Sequence, residues 1–167
     1  MKTNMNFKLI LPILLLFTLS ACYIKQKDVQ KNTTANAKNE EMFKSVLLKH
    51  LSAVKNKDLT TLKSTMSPEG KMELIQPSSE IVYTVDGFMK FHEAWFALPD
   101  WTVKTKILST DIGEKIGVAT TEFYYEEPDR NGKPYFNRLI VTYTLEKINN
   151  TWYIIKDHAS SVEKTYS

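Results

Sequence analysis

The sequence predicts an α+β domain: three helices, a short hairpin among them, then a curved antiparallel sheet of about four long strands. Three observations predict it. Apolar residues between positions 42 and 95 recur mostly at helical spacing, whereas those from 101 to 160 alternate with polar ones. Asn131-Gly132 and Asn149-Asn150 stand between the alternating runs, where tight hairpin turns need residues that tolerate positive φ. The 167 residues, 43% hydrophobic and 25% charged, are proportions that fill one core. They exclude a disordered polyelectrolyte, and 5 Gly with 6 Pro exclude a collagen-like chain.

Lys2 and Lys8 precede the apolar run Leu9–Leu19, which is shorter than the ~20 residues a spanning helix needs. This is the layout of a secretory signal peptide, residues 1–21. The run ends in Leu19-Ser20-Ala21-Cys22, which resembles the lipobox of bacterial lipoproteins. That resemblance implies cleavage before Cys22 and acylation of its thiol, which holds the protein to a membrane. Two or more acyl chains, at about 0.8 kcal/mol per buried methylene, make such an anchor stable. An ordinary signal peptide with an incidental cysteine is the alternative. Tyr23 is not aspartate, so the resemblance further implies the outer membrane of a bacterial cell envelope, facing the periplasm. Cys22 is the one cysteine, which excludes an internal disulfide and a Cys-rich zinc site. Residues 22–40 comprise the lipidated cysteine and a polar segment without apolar periodicity, as in a disordered tether. The formal charge of +3 includes Lys2 and Lys8, so nothing in the balance points to nucleic acid.

The domain proper spans 41–167. Met42, Phe43, Val46, Leu47, His50, Leu51 and Val54 make one face of a first helix. Asp58 is the expected N-cap of a second, carrying Leu59, Leu62 and Met66, which Ser67-Pro68-Glu69-Gly70 ends. Short strands are expected around residues 71–76 and 80–84, separated by Pro77-Ser78-Ser79. Phe88, Phe91, His92 and Trp95 mark a third helix, capped by Thr84 or Asp86. Trp101, Val103 and Ile107 alternate with Lys104 and Lys106, and residues 116–126, 136–147 and 152–160 come next as strands.

Asp58-Leu59 at the second helix, the late meander, and the ending Trp152-Tyr153-Ile154-Ile155-Lys156-Asp157-His158-Ala159-Ser160 together resemble the SnoaL-like branch of the nuclear transport factor 2 superfamily. The likeness covers roughly residues 42–162. It implies a cone in which the sheet wraps around the helices, with a pocket between the concave sheet face and the helices. Members include isomerases, cyclases, dehydratases and cargo binders, so fold does not decide function.

Candidate catalytic groups are His92, Asp157 and His158. His92 shares its stripe with aromatics and should face the sheet, where a neutral imidazole exchanges protons near pH 7. A core histidine bonded to a backbone carbonyl is the competing explanation, and His50 has the same ambiguity. Strict alternation sends Asp157 and His158 to opposite faces, His158 with Trp152 and Ile154, Asp157 with Tyr153 and Ile155. A carboxyl in an apolar pocket gains a raised pKa and becomes a usable acid or base. Otherwise Asp157 pairs with a lysine of a neighbouring strand. Trp95, Tyr83, Glu122, Tyr124 and Tyr143 are candidate ligand-binding residues, with Tyr125 and Tyr153 as further phenols; strand packing explains tyrosines equally well. Glu126–Arg130 is expected to be a solvated loop. No glycine-rich phosphate loop, GxSxG or HExxH occurs, and no two histidines have metal-ligand spacing. No cofactor and no metal are therefore expected.

The sequence supports three functional readings. In the first, a lipid-anchored SnoaL-like domain binds a small apolar or amphipathic ligand without catalysis. In the second, an isomerase or cyclase uses His92 or Asp157 as proton shuttle, with a tyrosine stabilising an enolate. In the third, the domain is a structural subunit of an envelope assembly, its open sheet face covered by a partner or a second copy.

Overall fold

The computed structural model describes residues 34–165; the signal peptide, Cys22 and residues 22–33 of the tether lie outside them. The chain divides into two units, Met1–Asn39 and Glu40–Ser167, and the sheet and its cavity belong to the second. Helical residues run from 34 to 55 (α1). The part of the expected tether that is described, 34–40, is thus helical rather than irregular. Ala35, Ala37, Lys38 and Glu40 are strong or moderate helix formers, and they extend the helix without supplying an apolar face.

Helix α2 is Leu59–Ser64 and α3 is Val85–Phe96. Asp58 caps α2, its Oδ1 accepting from the Thr61 amide at 2.9 Å. Thr84, not Asp86, caps α3, accepting from the Gly87 amide at 3.2 Å. The strands are β1 Glu73–Ile75, β2 Ile81–Tyr83, β3 Thr102–Ile112, β4 Ile116–Arg130, β5 Lys133–Ile148 and β6 Thr151–Lys164. They form one sheet in the order β2-β1-β6-β5-β4-β3. The predicted architecture is therefore the observed one: helices, a short hairpin and four long antiparallel strands. What the local pattern does not contain is the hairpin's seat, since β1 lies parallel to β6 with Leu74 opposite Asp157.

Asn131-Gly132 and Asn149-Asn150 each close a two-residue turn, between Arg130 and Lys133 and between Ile148 and Thr151, with positive φ at all four positions. The first turn is tighter than expected. Residues 127–130 are strand, not loop, which carries Arg130 to the tip of the β4–β5 hairpin.

Along β4, residues 117, 119, 121, 123 and 125 are buried and their neighbours are not. The core between this face and the helices holds Phe43, Leu47, Leu62, Phe88, Leu145, Trp152 and Ile154. Phe43 meets Trp152 edge-on at 5.3 Å. Pairing slips between Thr144↔Lys156 and Leu145↔Ile154, so Ile155 is the extra residue of a β-bulge in β6.

That bulge corrects the face assignment drawn from alternation. It brings Asp157 onto the buried face with Trp152 and Ile154, and leaves His158 exposed on the other.

Candidate functional site

Between the core face of β4–β6 and helix α3 lies a cavity of about 240 Å³. Helix α3 supplies Phe91, His92 and Trp95; β4 supplies Phe123, Tyr125 and Arg130; β5 supplies Tyr135, Asn137, Leu139, Val141 and Tyr143; β6 supplies Asp157 and Ala159. Val54, Leu74, Leu98 and the turn residues Gln76 and Pro77 complete it. Every contributing residue of β5 has odd parity, because only alternate side chains of a strand reach one face.

Asp157 is the buried carboxyl of this cavity. It is 6% exposed, and its Oδ1 has no hydrogen-bond partner among the described residues. Burial raises its pKa to about 7, because the ionised form has neither water nor a counter-charge. Lys156, its neighbour in the chain, pairs with Glu73 of β1 at 2.9 Å, and among the described residues no lysine of a neighbouring strand forms an ion pair with Asp157. Tyr143 faces Asp157 across the β5–β6 ladder. Burial first, and the Asp157 charge second, hold its phenol well above the usual range.

His92 is both things the sequence left open. Its Nδ1–H donates to the Phe88 carbonyl at 2.9 Å, and its ring also lines the cavity. Burial lowers its pKa to about 4, so the ring is neutral at pH 7 and Nε2 remains an acceptor. His50 stays in the core. Its Nδ1–H donates to Thr65 Oγ1 at 2.8 Å, which in turn donates to the Leu62 carbonyl at 2.6 Å. Burial, then repulsion from His92, lowers its pKa to about 3.

At the hairpin end the polar groups satisfy one another. Tyr125 donates to Glu127 at 2.6 Å, and Arg130 holds the same carboxylate by two contacts, one of them Nε to Oε2 at 2.8 Å. The guanidinium lies 3.4 Å from the centroid of the Tyr135 ring. Burial and the Glu127 hydrogen bond push the Tyr125 phenol up to about 12, while the Arg130 hydrogen bond keeps Glu127 below the usual range. Trp95 stacks on Trp101 at 4.7 Å and walls the helix side.

Of the residues singled out from sequence, His92, Asp157, Trp95, Tyr125 and Tyr143 meet at this cavity. His158, Tyr83, Glu122 and Tyr124 do not line it. Tyr83 is 62% exposed on β2. Before the register shift that follows Glu127, even positions of β4 face away from the cavity, so Glu122 pairs with Arg138 at 3.1 Å and Tyr124 stacks on Phe136 there. Phe123, Tyr135, Asn137 and Arg130 are cavity residues that sequence reasoning misses. The in-phase series Ala119, Thr121, Phe123, Tyr125 is a signal that could have found the first. The described residues contain no group of three or more His, Cys, Asp or Glu placed to hold a metal, and no helix long and apolar enough to cross a membrane.

Residues 44–163 match the SnoaL-like domain family. No curated sequence matches the chain. Solved structures share its fold. A nuclear transport factor 2-like superfamily protein from Salmonella enterica superposes with a TM-score of 0.64 at 17% identity, covering 79% of this chain and 96% of that one. A ketosteroid isomerase-like protein from Erwinia carotovora atroseptica gives 0.63 at 12%, covering 74% and 95%. A protein of unknown function from Pseudomonas putida, also of the nuclear transport factor 2-like class, gives 0.62 at 10%, covering 75% and 87%. At these identities the neighbours speak to the fold alone. With the family match over most of its length, the cone-shaped sheet and the helices packed on its concave face, the chain belongs to the SnoaL-like domain family.

Proposed function

We propose that this domain binds a small, mainly apolar molecule in the cavity between α3 and the sheet, on a chain anchored by lipid at Cys22 to a bacterial envelope membrane. One observation carries the binding reading. An aromatic-lined cavity of about 240 Å³ encloses a buried carboxyl whose Oδ1 has no partner among the described residues. A core without a ligand role replaces such a group by an apolar one, because an unpaired buried acceptor costs roughly 1–3 kcal/mol. The volume exceeds the roughly 150 Å³ that accommodates benzene and falls below the ~300 Å³ of drug-sized sites, so a molecule of one or two rings fits. The anchor rests on the lipobox sequence. An apolar fluorescent dye should bind the protein at micromolar concentration, and Ala159→Phe, which fills the cavity, should abolish binding. Equal dye binding by both proteins would place the site elsewhere.

A second reading has its own observation. Asp157 titrates near neutrality beside the Tyr143 phenol, a pairing suited to moving a proton next to a carbonyl. An isomerase-type activity would show as deuterium exchange at the α-carbon of a cyclic enone, lost in Asp157→Asn. No exchange above the buffer rate would leave binding as the function.

A further inference from the structure

Among the described residues, the buried polar atoms of the cavity that lack a partner are acceptors. Asp157 presents a carboxyl whose Oδ1 has no partner among the described residues. His92 commits its one N–H to Phe88, which leaves Nε2 as an acceptor. Further along β5, the Oδ1 of Asn137 is likewise buried without a partner. On the donor side, Tyr125 donates to Glu127, and Arg130, the one cation lining the cavity among the described residues, is held by the same carboxylate. The Tyr143 hydroxyl, the Trp95 indole N–H and the amides of Gln76 and Asn137 are further donors, and none of them carries a charge. Around these atoms stand the rings of Phe91, Trp95 and Phe123, whose negative faces attract cations.

We propose that the ligand is a protonated amine on a small ring body, its ammonium set against Asp157 and its body along the aromatic wall. This rests on the reading of the cavity as a ligand site and names the chemical class it takes. An ammonium brings three N–H donors to a place whose unpartnered buried atoms are acceptors. It also supplies the counter-charge that the fold withholds from a buried carboxylate. A carboxylate ligand would meet Asp157 with like charge and the bare lone pair of His92. Arg130 is not free to receive it, because Glu127 already neutralises the guanidinium. A neutral alcohol satisfies one acceptor and leaves the charge unpaired. The aromatic faces add to the preference, since cation–π attraction strengthens when the cation is removed from water.

Benzylamine, benzyl alcohol and benzoate share one ring body and differ in the group they would bring to Asp157. Their binding to the full chain, measured by displacement of the fluorescent dye and by calorimetry at pH 7.5, tests the assignment. Benzylamine should bind at least about tenfold more tightly than benzyl alcohol, and benzoate most weakly. Asp157→Asn, which keeps the side chain's shape, should bring the amine-to-alcohol ratio to about one. Asn137→Leu provides a second variant, expected to retain the amine preference because the ammonium sits at Asp157. Alcohol binding as tight as amine binding, or benzoate binding tightest, overturns the amine assignment while the cavity remains a ligand site. If neither the dye nor any of the three compounds binds, the ligand-site reading fails, and the amine assignment with it.

Discussion

Tyr143 and Asp157 are cross-strand partners on the buried face of β5 and β6, and each has its polar group inside the domain. The lysine next to Asp157 pairs with Glu73 and brings no counter-charge to either. Two groups that are neutral when protonated thus sit together where ionising either is disfavoured. The consequence is a carboxyl whose charge depends on what enters the cavity.

Asp157→Asn should stabilise the protein at high pH. The folded-state pKa, about 7, is raised above the ordinary carboxylate value. Folding therefore favours the protonated form, and the part of the stability that depends on Asp157 falls as pH rises from about 4 to about 7. Above that range the wild type carries the whole penalty, on the order of 4 kcal/mol. Urea denaturation at pH 8 should show the variant more stable, with the difference shrinking towards pH 4. A variant less stable at pH 8 would mean that the carboxylate is paired.

The two buried histidines act in the opposite sense. Their folded pKa values, about 3 for His50 and about 4 for His92, lie below the ordinary histidine value of 6.5. Between pH 4 and 6.5 the unfolded chain binds two protons there that the folded chain refuses, while Asp157 holds one in the folded state. The balance favours the unfolded chain by about one proton, so stability should fall on acidification by roughly 1.4 kcal/mol per pH unit. His92→Phe should flatten that slope. Denaturation midpoints at a series of pH values check both, and a wild-type slope of the opposite sign would contradict the burial of the two rings.

Gly117→Ala should destabilise the domain. A Cβ at this position would lie 2.6 Å from Cε2 and 2.9 Å from Cδ2 of Phe43. Phe43 is fully buried against Trp152 and has little room to retreat, so the cost should be about 1–3 kcal/mol. In a double-mutant cycle with Phe43→Leu the combined loss should be less than the sum of the two, because the smaller side chain removes the clash. Additive losses would show that the strain arises elsewhere.

Cys22→Ser should leave an unlipidated precursor or soluble material. Incorporation of labelled palmitate and partitioning into detergent measure it. Equal labelling of the wild type and the variant would refute the anchor.

How much of the site is legible in the sequence depends on where each signal resides. His92 can be placed because Phe88, Phe91 and Trp95 share its helical stripe, a local property. Trp95 is legible for the same reason. Glu122 and Tyr124 fall on the outer face against expectation, because strand alternation tells two faces apart without telling which one is concave. Arg130 reads as loop in the sequence because its place on the hairpin depends on how closely Asn131-Gly132 turns.

The sequence by itself determined the order of elements, the helix cap at Asp58, the turn positions and the α+β class. Each of these comes from residue type and period within a few positions along the chain. Tertiary structure alone decided that Asp157 faces the cavity and His158 the outside. The Ile155 bulge that makes the difference exists only where β6 pairs with β5, and a register slip is invisible to either strand alone. The parallel seat of β1 on β6 likewise needs both segments present, because the hydrogen bonds that hold it join residues far apart in the chain.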